Sequence, residues 1–206
     1  MSRYTGPKIR LSRRLGVQLF GRKDEKTKKY NLARKNYAPG QHGLTKIGKL
    51  SEYGKQLAEK QKVRFMFGLT EKQMRNYYVK ATKSATATNE ELMRLIESRI
   101  DNVIFRAGWG KTRAQCRQMV NHALINLNGK KIRVPSIQIK IGDTFEVRTR
   151  SKNSPLFRDT AKSKINSVRW LEVDTKNLSG KVISLPKKDD FEKIVDTQLV
   201  LEYYSK

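Results

Sequence analysis

The residues of this chain best suited to chemistry are cations. Arg113 and Arg117 stand one helical turn apart, just behind Lys111 and Thr112, so one helix face would present two guanidinium forks to the same partner. Guanidinium groups hold phosphate oxygens in a fixed geometry, and a helix N-terminus adds unpaired N–H groups and a partial positive charge. Thr112 with Gln115 is a capping box that sets where such a helix begins. The chemistry implied is the grip of a phosphodiester backbone, with no bond made or broken.

Arrangements that could catalyse or ligate a metal fail on inspection. Gly110-Lys111-Thr112 has the look of a P-loop ending, but Phe105 stands where its leading glycine is required and a helical pattern, not a strand, precedes it. Gly40-Gln41-His42-Gly43 fits the G-x-x-G spacing of a backbone clamp, without the flanking helices that clamp needs. His42 and His122 are far apart with no carboxylate or thiol cluster at ligand spacing, so neither a metal nor another cofactor is expected. His122 is either a partner of the helix dipole or an RNA contact. The single cysteine, Cys116, excludes an internal disulfide and a cysteine-cluster metal site.

The whole chain fits a polyanion-binding role. It has 206 residues, with 45 Lys and Arg against 19 Asp and Glu, a formal net charge of +26. So much self-repulsion destabilises a compact state unless a partner neutralises it. The N-terminus lacks a signal-peptide apolar block and no apolar run reaches a membrane span's length, so a soluble intracellular protein without a membrane partner or small-molecule substrate is expected. Residues 1–50 hold 14 Lys and Arg against 2 acids. Gly6-Pro7, Gly16, Gly21, Pro39-Gly40 and Gly43 interrupt this stretch, which reads as an extended basic arm that orders on RNA, its aromatics Tyr4, Phe20, Tyr30 and Tyr37 available for stacking.

Behind the arm the pattern turns helical. Ser51 caps a helix through Tyr53, Leu57 and Val63 that stops at Gly68, and Thr70 with Gln73 opens a second. Asn89 caps a third, whose stripe Leu92, Leu95, Ile96, Ile100 and Val103 runs unbroken to Gly108. The Thr112 helix buries Cys116, Met119, Val120 and Ala123 and turns Arg113, Arg117 and Asn121 to the opposite face. A strand over 124–127 reverses at Asn128-Gly129, the strongest short hairpin signal, and alternation continues through Ile137 to Ile141 and Phe145 to Val147. Residues 168–173 and 181–185 read as strand or extended segments. Asp196 caps a terminal helix with Leu199, Val200, Tyr203 and Tyr204, a strand being the alternative. The fold class is α+β: a mainly helical domain with an inserted small RNA-binding module of two helices and a small antiparallel sheet, behind the arm. Boundaries fall at 1–50 for the arm, 51–91 plus 180–206 for the helical domain and 92–179 for the insert.

Arg3-Tyr4-Thr-Gly6-Pro7-Lys8 with Leu11-Ser12-Arg13-Arg14, Pro39-Gly-Gln-His-Gly43, Leu50-Ser-Glu-Tyr-Gly54, Glu97-Ser-Arg-Ile-Asp-Asn-Val103, Thr112-Arg-Ala-Gln115, Asn128-Gly-Lys130 and the closing Leu201-Glu-Tyr-Tyr-Ser-Lys206 together resemble the family of the bacterial small-subunit ribosomal protein numbered four, over almost the whole chain. The resemblance implies a non-enzymatic constituent of the cytoplasmic 30S subunit that binds 16S rRNA directly and early, organises the subunit body, and contributes to translational accuracy beside the ribosomal protein numbered five. Zinc-binding members carry cysteines in the arm; Ile9 follows Gly-Pro-Lys here, which makes this a zinc-free variant. An RNA-modifying enzyme borrowing the same module would need a further catalytic domain, although Arg99-Ile100-Asp101 is similar to the Arg-Leu-Asp segment of pseudouridine synthases. Non-specific DNA compaction would suit the charge but not the helix–hairpin module. The candidate rRNA contacts are Arg3, Lys8, Arg10, Arg13, Arg14, Gln41 and His42 in the arm, and Tyr53, Lys55, Lys60 and Lys62 on the first helix behind it. In the insert they are Arg99, Arg106, Lys111, Thr112, Arg113, Arg117, His122, Asn128, Lys130 and Lys131. By the same resemblance, Lys46 and Lys49 line the path by which mRNA enters.

Overall fold

The computed structural model describes residues 4–20, 35–45, 48–157 and 168–205. Along the chain run α1 (Lys8–Leu15), α2 (Glu52–Met66), α3 (Glu71–Thr82), α4 (Thr88–Glu97), α5 (Ile100–Arg106), α6 (Arg113–Asn121), β1 (Ile125–Leu127), β2 (Lys130–Lys131), β3 (Thr144–Val147), α7 (Thr149–Lys152), β4 (Leu171–Asp174), β5 (Ser179–Val182) and α8 (Thr197–Ser205). They divide into a helical unit, Met1–Leu92 with Glu192–Lys206, and an inserted unit, Met93–Phe191. β5, which begins at the boundary expected at 179, pairs with β3 and β4 in the sheet of the inserted unit.

In the helical unit, local signals set the helix ends. Ser51 Oγ accepts from Gly54 N at 3.2 Å to start α2. Thr70 and Gln73 form a complete box, the hydroxyl accepting from Gln73 N and the Gln73 amide oxygen accepting from Thr70 N. Gly68, at φ 64°, takes the left-handed turn between the two helices. Val63, Met66, Met74, Tyr77 and Ala81 are buried, joined by Val195 and Val200 near and in α8. Asp196 accepts from Gln198 N at 3.0 Å, and the terminal segment is a helix.

Polar groups then fasten α8 to α2 and α3. Gln56 donates to Glu202 at 3.1 Å, Glu59 accepts from Asp196 N at 3.2 Å and the Tyr204 hydroxyl donates to Glu71 at 2.8 Å. Lys60 donates to Glu71 at 2.9 Å and lies 4.6 Å above the Tyr203 ring. Burial alone would raise the Glu71 pKa, but the hydrogen bonds from Lys60 and Tyr204 and the charges of Lys60 and Arg64 outweigh it, holding the carboxyl below its usual range. Burial, and then the bond to Glu71, push the Tyr204 phenol upward.

The arm departs from the expected extended chain. Pro7 and Gly16 bound a helix, α1, instead of merely interrupting the segment. Proline's fixed φ suits a helix start, and Gly16 closes the helix at φ 65°. Ser12 is buried and its hydroxyl accepts from Leu19 N at 3.4 Å, while Arg13 donates to the Tyr37 and Ala38 carbonyls and stacks 4.6 Å over the Tyr37 ring.

The inserted unit shows a second departure. The expected long third helix is two, α4 and α5, and α4 begins at Thr88 so that Asn89 lies within it. Residues 98 and 99 leave helical geometry because the backbone there pairs with the 135–139 segment. Ile139 N donates to Ser98 O at 2.9 Å, Ile100 N to Ile137 O at 2.9 Å, and Arg99 bridges Gln138. The Ile137–Ile141 alternation thus serves this pairing rather than the sheet. The sheet itself is antiparallel throughout, in the order β2-β1-β3-β5-β4. Asn128 and Gly129, at φ 49° and 73°, make its tight turn. Phe145 lies under Gly180, where an added Cβ would come within 2.5 Å of the ring, and 5.1 Å from the Trp109 ring. Both rings join α5 and α6 in one apolar core.

Candidate nucleic-acid interface

α6 is positioned by its apolar stripe. Cys116, Met119, Val120 and Ala123 are all at most 2 % exposed, so the helix is anchored along its length and its N-terminal end is set by Thr112, whose hydroxyl accepts from Gln115 N at 3.1 Å. The Gln115 side chain accepts from Lys111 N at 2.8 Å, not from Thr112 N, so the box closes one residue early. Ala114, Gln118 and Asn121 form the outward ridge. Arg113 and Arg117 are half-buried along the border of the stripe, turned toward α5 rather than lying opposite it.

There they enter a buried polar network. Glu97, 1 % exposed, accepts from Asn102 and, through both oxygens, from Arg106 at 3.0 and 2.5 Å. The Asn102 amide nitrogen also donates to the Glu97 carbonyl at 3.1 Å, which leaves its oxygen to accept from Arg113 Nε at 2.9 Å. The Arg113 guanidinium lies 4.4 Å over the Phe105 ring. Beside it Arg99 holds Asp101 through two bonds, at 3.1 and 2.8 Å, and Arg117 stands 3.9 Å from the same carboxylate. Four arginines against two carboxylates leave the cluster positive, with Arg113 held by a hydrogen bond and a ring face before any ligand arrives.

Residues 3–97 match the family described as Ribosomal protein S4/S9 N-terminal domain, and residues 98–145 match the S4 domain. The chain is 44 % identical over 207 residues to the Small ribosomal subunit protein uS4 of Latilactobacillus sakei, with 100 % of both chains covered. The proteins of the same name from Limosilactobacillus fermentum and Heliobacterium modesticaldum are 45 % and 44 % identical, again over 100 % of both chains. The chain belongs to the uS4 family. It is a structural, non-enzymatic protein of the small ribosomal subunit.

The other candidates of this uS4 family member divide by what already holds them. Lys60 is buried on Glu71 and Arg99 is 1 % exposed on Asp101. Each is engaged within the chain: Lys60 pairs with a half-exposed Glu71, and Arg99 with Asp101 in a pair buried on both sides. Asn128 is exposed, and its amide donates to Asp143 and accepts from Thr144 N, both at 2.8 Å, to brace the hairpin turn. Lys62 pairs with Glu59 at 2.5 Å, Arg106 with Glu97, and Lys55 with Glu52 in an exposed pair at 2.6 Å. Lys8 lies half-buried near the Phe20 ring. Arg10, Arg14, Gln41, His42, Lys49, Tyr53, Lys111, His122, Lys130 and Lys131 are exposed. Arg3 and Lys46 lie outside the described residues. Sequence reasoning missed Glu97 and Asn102, which orient the arginines. Their signal was three polar groups, Glu97, Asp101 and Asn102, set among the apolar positions of a helical stripe, where burial demands partners.

Proposed function

We propose that the chain grips small-subunit rRNA with the α5–α6 border of the inserted unit, Arg113 and Arg117 meeting phosphates, Lys111 and the exposed hairpin lysines flanking them, and the basic arm following adjacent RNA. The observation that carries this reading is Arg113: its Nε is fixed by Asn102 and its plane by Phe105. A guanidinium ordered in advance loses less side-chain entropy on binding than a free one. In this reading the contact forms early and organises the subunit body.

The finer partners follow from the family resemblance. α8 and its surroundings face the neighbouring small-subunit protein numbered five, and that contact tunes decoding accuracy. Exposed Ile194 and Tyr53 suit such a neighbour. Lys49, exposed, with Lys46, lines the path of mRNA. On a sucrose gradient of cell lysate the chain should co-sediment with small subunits at one copy each, and a crosslinking map should place the α5–α6 segment on 16S rRNA. Absence from small subunits, or crosslinks confined to other segments, refutes the reading.

A further inference from the structure

The hairpin turn of the inserted unit joins a reactive dipeptide to a restraint. Asn128-Gly129 is the one Asn-Gly pair of the chain. In such a pair the glycine amide nitrogen can attack the side-chain amide before it, since no Cβ stands in the way. The turn favours that attack. Both residues are exposed, a Cβ built on Gly129 would meet nothing within 4 Å, and Gly129 N donates no hydrogen bond among the described residues. Lys130 and Lys131, exposed beside it, favour the amide anion that does the attacking.

Opposing the attack is a clamp from the far side of the hairpin. Asn128 Oδ1 accepts from Thr144 N at 2.8 Å and from Thr144 Oγ1 at 3.3 Å, while Nδ2 donates to Asp143 Oδ1 at 2.8 Å. Asp143 is itself fixed, its other oxygen accepting from Lys140 N at 2.7 Å. Both ends of the Asn128 amide are thus tied across the turn. The group cannot offer its carbon to Gly129 N without giving up these bonds.

We infer that Asn128 is a site of covalent modification by deamidation, with its rate set by the Asp143–Thr144 clamp rather than by exposure. The Gly129 N–Asn128 Cγ bond forms as Cγ–Nδ2 breaks, and the Gly129 proton leaves with that nitrogen as ammonia. Water then opens the cyclic imide at either carbonyl, giving aspartate or isoaspartate; nothing is oxidised or reduced. The aspartate product sets a carboxylate against Asp143 where Asn128 had donated, so like charges meet. The isoaspartate product adds a methylene to the main chain of a two-residue turn. Either way the brace does not re-form, and the change runs one way. The inference does not depend on which nucleic acid the chain binds.

The test incubates the full chain in mildly alkaline buffer and reads isoaspartate at position 128 by peptide mapping and enzymatic methyl labelling. D143A removes a bond to a charged acceptor and should form the product roughly tenfold faster than wild type. D143N, nearly isosteric, has one oxygen for the two bonds of Asp143 and should show a smaller rise. Wild type in urea should react fastest, and N128Q should give no signal at this position. Thermal melts establish that each variant is folded during the incubation; should D143A not be, D143N and the urea comparison decide. Wild-type rates in the folded Asp143 variants overturn the inference, as does a native wild-type rate equal to the rate in urea.

Discussion

Replacing Arg113 and Arg117 with Ala tests the interface most directly, and the structure assigns the two changes different costs. Each removes one ionic contact, so together they should flatten the salt slope by roughly 1.4–1.8. Between 50 and 200 mM salt the variant's affinity deficit then narrows by roughly 7- to 12-fold, because wild type loses more contacts' worth of counterion release as salt rises. Stability responds unequally. Arg113→Ala strips the donor from the buried Asn102 oxygen, which costs about 1–3 kcal/mol if nothing replaces it. Arg117→Ala leaves Asp101 held twice by Arg99 and should cost little. Arg113→Lys separates charge from geometry: the slope should stay near wild type while affinity drops, because lysine cannot bond Asn102 and lie over Phe105 as the guanidinium does. Filter binding or fluorescence titration on a small-subunit rRNA fragment, beside urea melts of each variant, measures all of this. Parallel lines of equal affinity for wild type and the double variant refute the reasoning.

Three other perturbations have definite expected outcomes. Gly180→Ala drives a methyl to 2.5 Å from the buried Phe145 ring and should destabilise the inserted unit by about 1–3 kcal/mol in urea; an unchanged midpoint would show that the ring can yield. Glu71 has a depressed pKa in the folded chain, so its carboxylate contributes stability above the unfolded value of 4.5 that is lost as pH falls through the folded value. Melting temperature against pH should therefore fall less steeply below 4.5 in Glu71→Gln than in wild type, and curves of the same shape would remove Glu71 from the account. Truncation after Asp190 deletes α8 with its bonds to Gln56, Glu59 and Glu71; subunits carrying it should show raised stop-codon readthrough, and unchanged readthrough argues against a role for α8 in accuracy.

Much of the architecture was legible in the residues because the signals were local. Ser51, Thr70, Thr112 and Asp196 cap helices in the structure, and Asn128-Gly129 turns the hairpin, because each needs only backbone groups within three residues. Pro7 and Gly16 were equally local, but flanked by charge they read as interruptions rather than as the two ends of α1. The stripe of Cys116, Met119, Val120 and Ala123 was likewise readable from its period.

The residues alone make this chain a polyanion binder, set Arg113 and Arg117 on one helix and mark which side of that helix is apolar. Composition and short-range periodicity carry such information without reference to distant residues. Tertiary structure alone decided three other matters. It broke the Leu92–Val103 stripe at residues 98–99, since the backbone there bonds to residues about forty positions away. It withdrew Lys60 from solvent by supplying Glu71 from the next helix, and buried Arg99 with its local partner Asp101 by bridging residue 99 to Gln138. It also turned Arg113 from a generic surface cation into one oriented by Asn102 and Phe105. A charge on a helix face looks the same in sequence whether water or a carboxylate lies beside it, and only the long-range packing of one element on another sets which.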